Sequence, residues 1–389
     1  MINQERIKKL LLELVQIDSH SRKERDVAER IKKYCEEMGA TVEIDDAGEK
    51  VGGNSGNLIA RFPGTIPGAE TILMSAHMDT VVPGEGVKPI IEGDIIRTDG
   101  TTVLGGDDKS GCAVIIETIR CLQEQNLPHA PIEAVFSICE EVGLLGAKHV
   151  DVSKLKSKYG LVFDSDDPGF LFTKGPSANH MEWKILGLES HAGVAPEEGI
   201  SAIKIAAEAI HGMKLGRIDD ETTANIGVIE GGKATNITTN LVTLRGEARS
   251  HSDEKLEEQT RHMTESFERA AAKCEVTVAG VVTKGRVESH VTREYHSMDV
   301  PDSSRIVQLV YQAAERLGQK VETLASGGGC DANIFNKRGI ECANFGTGMR
   351  AIHTVKEWLD VKDMYQSAEI ALEVLKLNGE LAQKQQQDA

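Results

Sequence analysis

The sequence predicts an α/β protein of two domains, a larger one with a central mixed β-sheet and flanking helices, and an inserted ferredoxin-like α+β domain. Three observations carry this expectation. A chain of 389 residues exceeds what one core usually organises. Short apolar runs alternate with helical stretches along the first 170 or so residues, the rhythm of helices packed on a sheet. Near Gly175 that rhythm gives way to a strand-helix-strand-strand-helix-strand order, and it resumes after about Arg286.

The elements follow in order. Ile7, Leu10, Leu11 and Leu14, then Val27, Ile31 and Tyr34, recur at helical spacing on either side of a polar break at Asp18 to Glu24, which gives two helices ending near Gly39. Strands are expected at Asn57–Phe62, Thr71–Ala76, Ile132–Ile138 and Leu161–Phe163, with a helix at Cys112–Gln123. The inserted segment reads as strand His180–Leu186, helix Ile200–Met213, strands Thr223–Ile229 and Asn240–Ser250, helix Asp253–Lys273 and strand Glu275–Val282. A helix at Ser303–Leu317, a Gly-rich turn at Ser326–Gly329, a strand near Cys342 and a helix at Val361–Leu377 complete the larger domain. The domain boundaries are therefore expected at 1–176 with 288–389, and 177–287. The Gln-rich tail after Asn378 has nothing to bury and is expected to fray.

Composition narrows the function classes. The formal charge of −17, from 61 acidic against 44 basic residues, disfavours nucleic acid and anionic membrane surfaces as partners. The charged, mixed start lacks the apolar core of a secretory signal, and no apolar run reaches the roughly 18 residues of a membrane span. Seven scattered cysteines without a Cys-x-x-Cys pair read as reduced thiols of a cytoplasmic protein.

Acids and histidines gather at the ends of the expected strands. His77 closes an apolar strand, which delivers its imidazole to a sheet edge where it can bind zinc, and Asp79 can orient the ring or its neighbourhood. Read alone, His-x-Asp is better explained by a surface turn. Asp107 and Asp108 sit in Leu104-Gly-Gly-Asp-Asp-Lys-Ser-Gly, a flexible loop before a helix. One of them can bridge two cations, but the motif read alone is better explained by an N-capping Asp with Lys109 as its charge partner. Glu140 and Glu141 end the strand from Ile132; adjacent residues of an extended chain point opposite ways, so one can hold a metal while the other takes a proton from water. A solvated acidic turn is the plain alternative. Asp164 ends another apolar strand, and His353 lies far downstream with Glu357 available to a neighbouring group.

Taken together, His-x-Asp, Gly-Gly-Asp-Asp-Lys, Glu-Glu, Asp and His resemble the zinc-dependent exopeptidase family of aminoacylase and peptidase T, over nearly the whole chain. The resemblance implies a two-domain zinc exopeptidase whose insert serves as lid and dimerisation domain. It implies that His77 and Asp164 hold one zinc, Glu141 and His353 the other, with Asp107 as the bridge and a cis peptide between Asp107 and Asp108. Cobalt or manganese are possible substitutes. Glu140 matches the general base, Asp79 the acid supporting His77, and His191 the residue that stabilises the oxyanion. Asn236, Arg249 and the Gly328 loop match substrate contacts, Arg249 as a two-point grip on a carboxylate. The peptidase T branch resembles this chain in Leu104-Gly-Gly-Asp-Asp-Lys, Gln16-Ile-Asp-Ser-His-Ser and the Gly327 loop, which implies tripeptide aminopeptidase activity on short peptides. The surroundings of His353 are closer to carboxypeptidases and deacylases, which form the first alternative; a non-catalytic metal-binding protein is the second. A homodimer through the insert is also expected.

Overall fold

The computed structural model describes residues 1–387. The chain divides into two compact units, Met1–Gly175 with the chain from Met298 on, and Pro176–Ser297.

In the first unit a mixed sheet runs in the order Thr41–Ile44, Leu58–Phe62, Ile132–Ser137, Ile72–His77, Tyr159–Ser165, Glu341–Gly346, Phe170–Gly175 and Met298–Asp299. A short strand, Glu322–Ala325, pairs in parallel with Phe170–Gly175. Four consecutive members of that order, from Ile132–Ser137 to Glu341–Gly346, are mutually parallel. Every residue of Ile72–His77 and Ile132–Ser137 is buried, as expected of parallel strands covered on both faces. Because these strands run the same way, their carboxyl ends open on one edge, and the acids and the histidine that follow them converge there.

The helix Gly106–Glu124 packs on Ile72–His77 and Tyr159–Ser165, and the helix Val361–Gln387 packs on it in turn. Gly111 makes the first of these contacts possible: a Cβ built there would lie 2.2 Å from the Phe163 carbonyl oxygen. The last helix continues well past Leu377, where a frayed tail was expected, and Ala382 is buried; residues 388 and 389 lie outside the described part. A small sheet joins Met349–Arg350, Trp358–Asp360, Ile95–Arg97 and Ile90–Glu92, and it carries the loop that holds His353. Among the described residues, no helix is long and apolar enough to cross a membrane.

The second unit has a sheet ordered Gly216–Arg217, Thr222–Gly231, Leu241–Ser250, Ser177–Leu186 and Arg286–Tyr295, antiparallel throughout. The helices Ala202–His211 and Asp253–Ala272 cover one face, over Trp183 and Leu244, with Phe267 of the second helix packed against Trp183. The expected final strand is corrected here. Glu275–Val278 and Val281–Lys284 form a separate hairpin, turned by Ala279 and Gly280, both at positive φ. The fourth long strand of the sheet is Arg286–Tyr295, so this unit ends at Ser297 rather than at 287. The apolar run at 275–282 satisfies its own hydrogen bonds in the hairpin and leaves the sheet edge to the next segment.

The close approach at Gly111 has a measurable cost. Gly111→Ala is expected to destabilise the protein by about 1–3 kcal/mol through overpacking. Urea unfolding followed by circular dichroism reads this, and an unchanged midpoint would mean that the helix can retreat from Phe163 freely.

Candidate metal centre

At the carboxyl edge of the parallel strands, two sets of side chains each gather potential ligand atoms within 4.8 Å: His77, Asp107 and Asp164, and Asp107, Glu141 and His353. Asp107 belongs to both. Its Oδ1 lies 3.0 Å from His77 Nε2, and its Oδ2 lies 3.2 Å from His353 Nε2. Asp164 Oδ1 is 3.9 Å from the same His77 nitrogen, and Glu141 Oε2 is 2.9 Å from His353 Nε2. One carboxylate therefore faces two imidazoles with different oxygens, the arrangement a bridging ligand needs.

The ring of His77 is fixed by its other nitrogen. Nδ1 lies 2.8 Å from the Asp79 carbonyl oxygen. A carbonyl only accepts, so Nδ1 carries a proton, and Nε2 is the nitrogen turned toward Asp107 and Asp164, where a bound cation would take the place of its proton. Asp79 was expected to orient this ring or its surroundings, and its side chain acts on the surroundings: the carboxylate is 3.5 Å from Nδ1 and instead accepts the backbone N–H groups of Glu140 (2.9 Å) and Glu141 (3.3 Å). Ser21 Oγ donates to its second oxygen at 2.6 Å.

The two acids of the Gly-Gly loop divide the two roles weighed for them. Asp108 is the capping residue, with Oδ1 accepting the Gly111 N–H (3.1 Å) and Oδ2 the His77 N–H (3.1 Å). Asp107 is left to face the imidazoles, and the peptide between the two is cis. Lys109 is not the charge partner of Asp108; buried, it donates to the Ile17 carbonyl at 2.6 Å, and burial lowers its pKa to about 8. Glu357 holds the loop from outside, with its carboxylate accepting the N–H groups of Leu104 (2.7 Å), Gly105 (2.9 Å) and Asp107 (3.0 Å). Burial raises its pKa to about 7, against the pull of those donors.

Two groups escaped the sequence reading. Asn344 clamps Asp164 by both backbone groups, accepting its N–H at 2.9 Å and donating to its carbonyl at 2.6 Å. Asp331, which follows the triglycine, accepts from Ser137 Oγ at the end of the strand that leads to Glu140. Neither stands out from other polar residues near a turn, because each works through a partner distant in sequence.

Electrostatically the cluster is short of positive charge. Burial, reinforced by Asp164, pushes the Glu140 carboxyl well above its ordinary range. Burial likewise raises Asp164 and Glu141. Asp107 goes the other way: hydrogen bonds from His353 and His77 outweigh its burial. Those contacts with Asp107 and Glu141 lift His353 to about 10. A buried Glu141 oxygen, Oε1, has no hydrogen-bond partner among the described residues. Imidazole nitrogens, carboxylates and an orphaned oxygen, arranged around a shared Asp107, fit divalent cations of zinc type, in a site able to take two.

The remaining expected residues lie elsewhere. Gly328 is in the first unit, in a turn closed by Ser326, whose Oγ accepts the Gly328 N–H (3.1 Å) and donates to its carbonyl (2.9 Å). His191, Asn236 and Arg249 belong to the second unit, where the Ala192 N–H donates to the Asn236 carbonyl at 2.9 Å, placing those two loops side by side. Arg249 does not offer a free fork: Nε and Nη2 donate to the two oxygens of Glu247 at 3.0 and 2.9 Å.

The hold of Glu357 on the Asp107 loop should be visible in metal affinity. Glu357→Gln replaces one of its two acceptor oxygens by a donor, and affinity for zinc is expected to fall about 10–100-fold. Competition with a chromogenic chelator measures this; equal affinity would assign Glu357 to folding alone.

Known proteins resemble this chain over nearly its whole length. The family model described as Peptidase family M20/M25/M40 matches residues 73–377. The crystal structure of aminopeptidase PepT from Bacillus cereus superposes with a TM-score of 0.86 at 41% identity, covering 97% of this chain and 99% of that one. A tripeptidase from Staphylococcus aureus gives a TM-score of 0.91 at 38% identity, covering 98% and 100%. The uncharacterized protein YqjE of Bacillus subtilis is 41% identical over 376 residues, 96% of this chain and 99% of that protein. The match spans most of the strands that build the site, the site itself and the insert, and the chain belongs to Peptidase family M20/M25/M40.

Proposed function

We propose that this chain is a two-metal tripeptide aminopeptidase that hydrolyses the first peptide bond of short peptides, with Glu140 as general base. The carrying observation is the pair of ligand sets sharing Asp107, beside a Glu140 that belongs to neither set. Likeness to an aminopeptidase and a tripeptidase over nearly the whole chain supports the substrate class.

His77 and Asp164 would hold one ion, Glu141 and His353 the other, and Asp107 both. When bound, two zinc ions, or cobalt or manganese in their place, supply Lewis acidity toward a peptide carbonyl and lower the pKa of a water. Glu140 then takes one proton from that water as its oxygen adds to the carbonyl carbon. It returns the proton to the amide nitrogen as the C–N bond breaks, and the second proton of the water passes from the new carboxyl group to the amine, so the products leave as a carboxylate and an ammonium. A structural metal site would need the ligands without this base, which favours an enzyme over a metal-binding scaffold.

In this reading Asp79 sets the directions of Glu140 and Glu141 through their backbone, and His191, Asn236, Arg249 and the Gly328 loop are assigned to the substrate. The engagement of Arg249 by Glu247 favours an aminopeptidase over a carboxypeptidase or deacylase, because a substrate carboxylate must displace a bidentate partner already present. Seven free cysteines support a reducing, cytoplasmic setting. The edge strand Arg286–Tyr295, with Val291 exposed, supports a homodimer through the second unit.

Two outcomes follow. Glu140→Gln is expected to lower turnover by about 10²–10⁴-fold while bound zinc stays at the wild-type level; near-normal turnover would remove Glu140 from the proton transfer. With free, amino-blocked and carboxyl-blocked tripeptides, mass spectrometry is expected to show release of the first residue that amino-blocking abolishes and carboxyl-blocking leaves largely intact. Loss on carboxyl-blocking instead would transfer the assignment to a carboxypeptidase or deacylase.

A further inference from the structure

We propose that Glu24 is a positioning residue for Glu140: by accepting the Cys139 N–H it fixes the direction in which the proton-transfer side chain leaves its strand. The inference rests on the reading of Glu140 given above.

The strand Ile132–Ser137 ends one residue before a run of four backbone N–H groups, and side chains rather than a neighbouring strand accept each of them. Asn57 Oδ1 accepts from Ile138 (3.1 Å), Glu24 Oε1 from Cys139 (3.1 Å), and the Asp79 carboxylate from Glu140 and Glu141. Cys139 stands at φ +52°, a left-handed conformation that a residue with a Cβ keeps only where its surroundings hold it. Glu24 is the side chain that holds it, and the Cys139 thiol donates to the same oxygen at 3.3 Å.

Glu24 precedes the helix Arg25–Glu37, and it is wholly buried. Its Oε1 also accepts the Arg22 N–H at 2.8 Å, while Oε2 has no hydrogen-bond partner among the described residues. A carboxylate buried with half its acceptor capacity idle is costly unless the engaged half is needed. A turn of the Arg22 segment alone would not need an acceptor that reaches Cys139. The contact links the segment between the first two helices to the residue before Glu140, 115 positions later.

The experiment compares Glu24→Asp, which withdraws the acceptor by one methylene, with Glu24→Gln, which keeps Oε1 in place. Since a 1 Å displacement of a reacting group costs on the order of 10²-fold, Glu24→Asp is expected to lower kcat at least about 10-fold with KM within about 2-fold and zinc content unchanged. Glu24→Gln is expected to restore kcat to within about 3-fold of the wild type, since the acceptor rather than the charge does the holding. Hydrogen exchange read by mass spectrometry should show segment 137–142 exchanging faster in the Asp variant than in the Gln variant. Wild-type kcat and wild-type exchange in the Asp variant would overturn the proposal, as would a Gln variant impaired as deeply as Asp. Glu140→Gln is measured alongside: normal turnover there defeats the base assignment, and the exchange data then decide separately whether Glu24 holds the turn.

Discussion

Bringing carboxylates together out of water is the constraint on which this structure depends. Asp107, Asp108, Glu140, Glu141 and Asp164 meet at one edge of a sheet, and each would cost several kcal/mol if left without compensation. The compensation is of two kinds. Asp108 and Asp79 spend their oxygens on backbone N–H groups and are satisfied by the fold itself. Asp107, Glu141 and Asp164 face imidazoles, a set that bound cations would complete. Glu140 belongs to neither group, which is the observation behind the proton-transfer role proposed for it.

The same constraint explains why the supporting residues are acceptors. A strand that ends in a functional loop leaves its N–H groups without a ladder, and buried donors have to be matched. Around Ile138–Glu141 the matching is done by Asn57, Glu24 and Asp79, and at Leu104, Gly105 and Asp107 by Glu357. Acidic side chains thus serve twice, once facing the reaction and once behind it. The excess of acids over bases in the composition has part of its origin here.

How much of this was legible in the sequence varies with the distance over which each residue acts. His77, Asp107, Glu141, Asp164 and His353 are legible as a set only through their order along the chain and the family that order resembles; taken singly, Asp164 and His353 are unremarkable, and the fold is what brings all five together. Asn344, Asp331 and Glu24 do not, since their meaning lies in a contact with a backbone or side chain 115 to 194 residues away. The misplaced strand at 275–282 has a different cause. Its alternation fits a hairpin as well as a sheet edge, and the Ala279-Gly280 turn decides between them. For Arg249, residue type shows what it can bind, whereas only the structure shows that Glu247, two residues away on the same strand, already engages its fork.

The order in which the parts appear along the chain bears on synthesis. The larger unit is interrupted at Gly175 and resumes at Met298, where the two ends pair directly in its sheet. Two of its central contacts, the strand Glu341–Gly346 beside Tyr159–Ser165 and the clamp of Asn344 on Asp164, use residues translated after the insert. His353 comes later still. A ribosome therefore has to deliver more than nine-tenths of the 389 residues before the ligand set can close. The insert, whose long strands and helices are contiguous, can fold while the chain is still growing. The candidate ligand set is thus completed by the part of the chain that is made last, after the insert that separates its members.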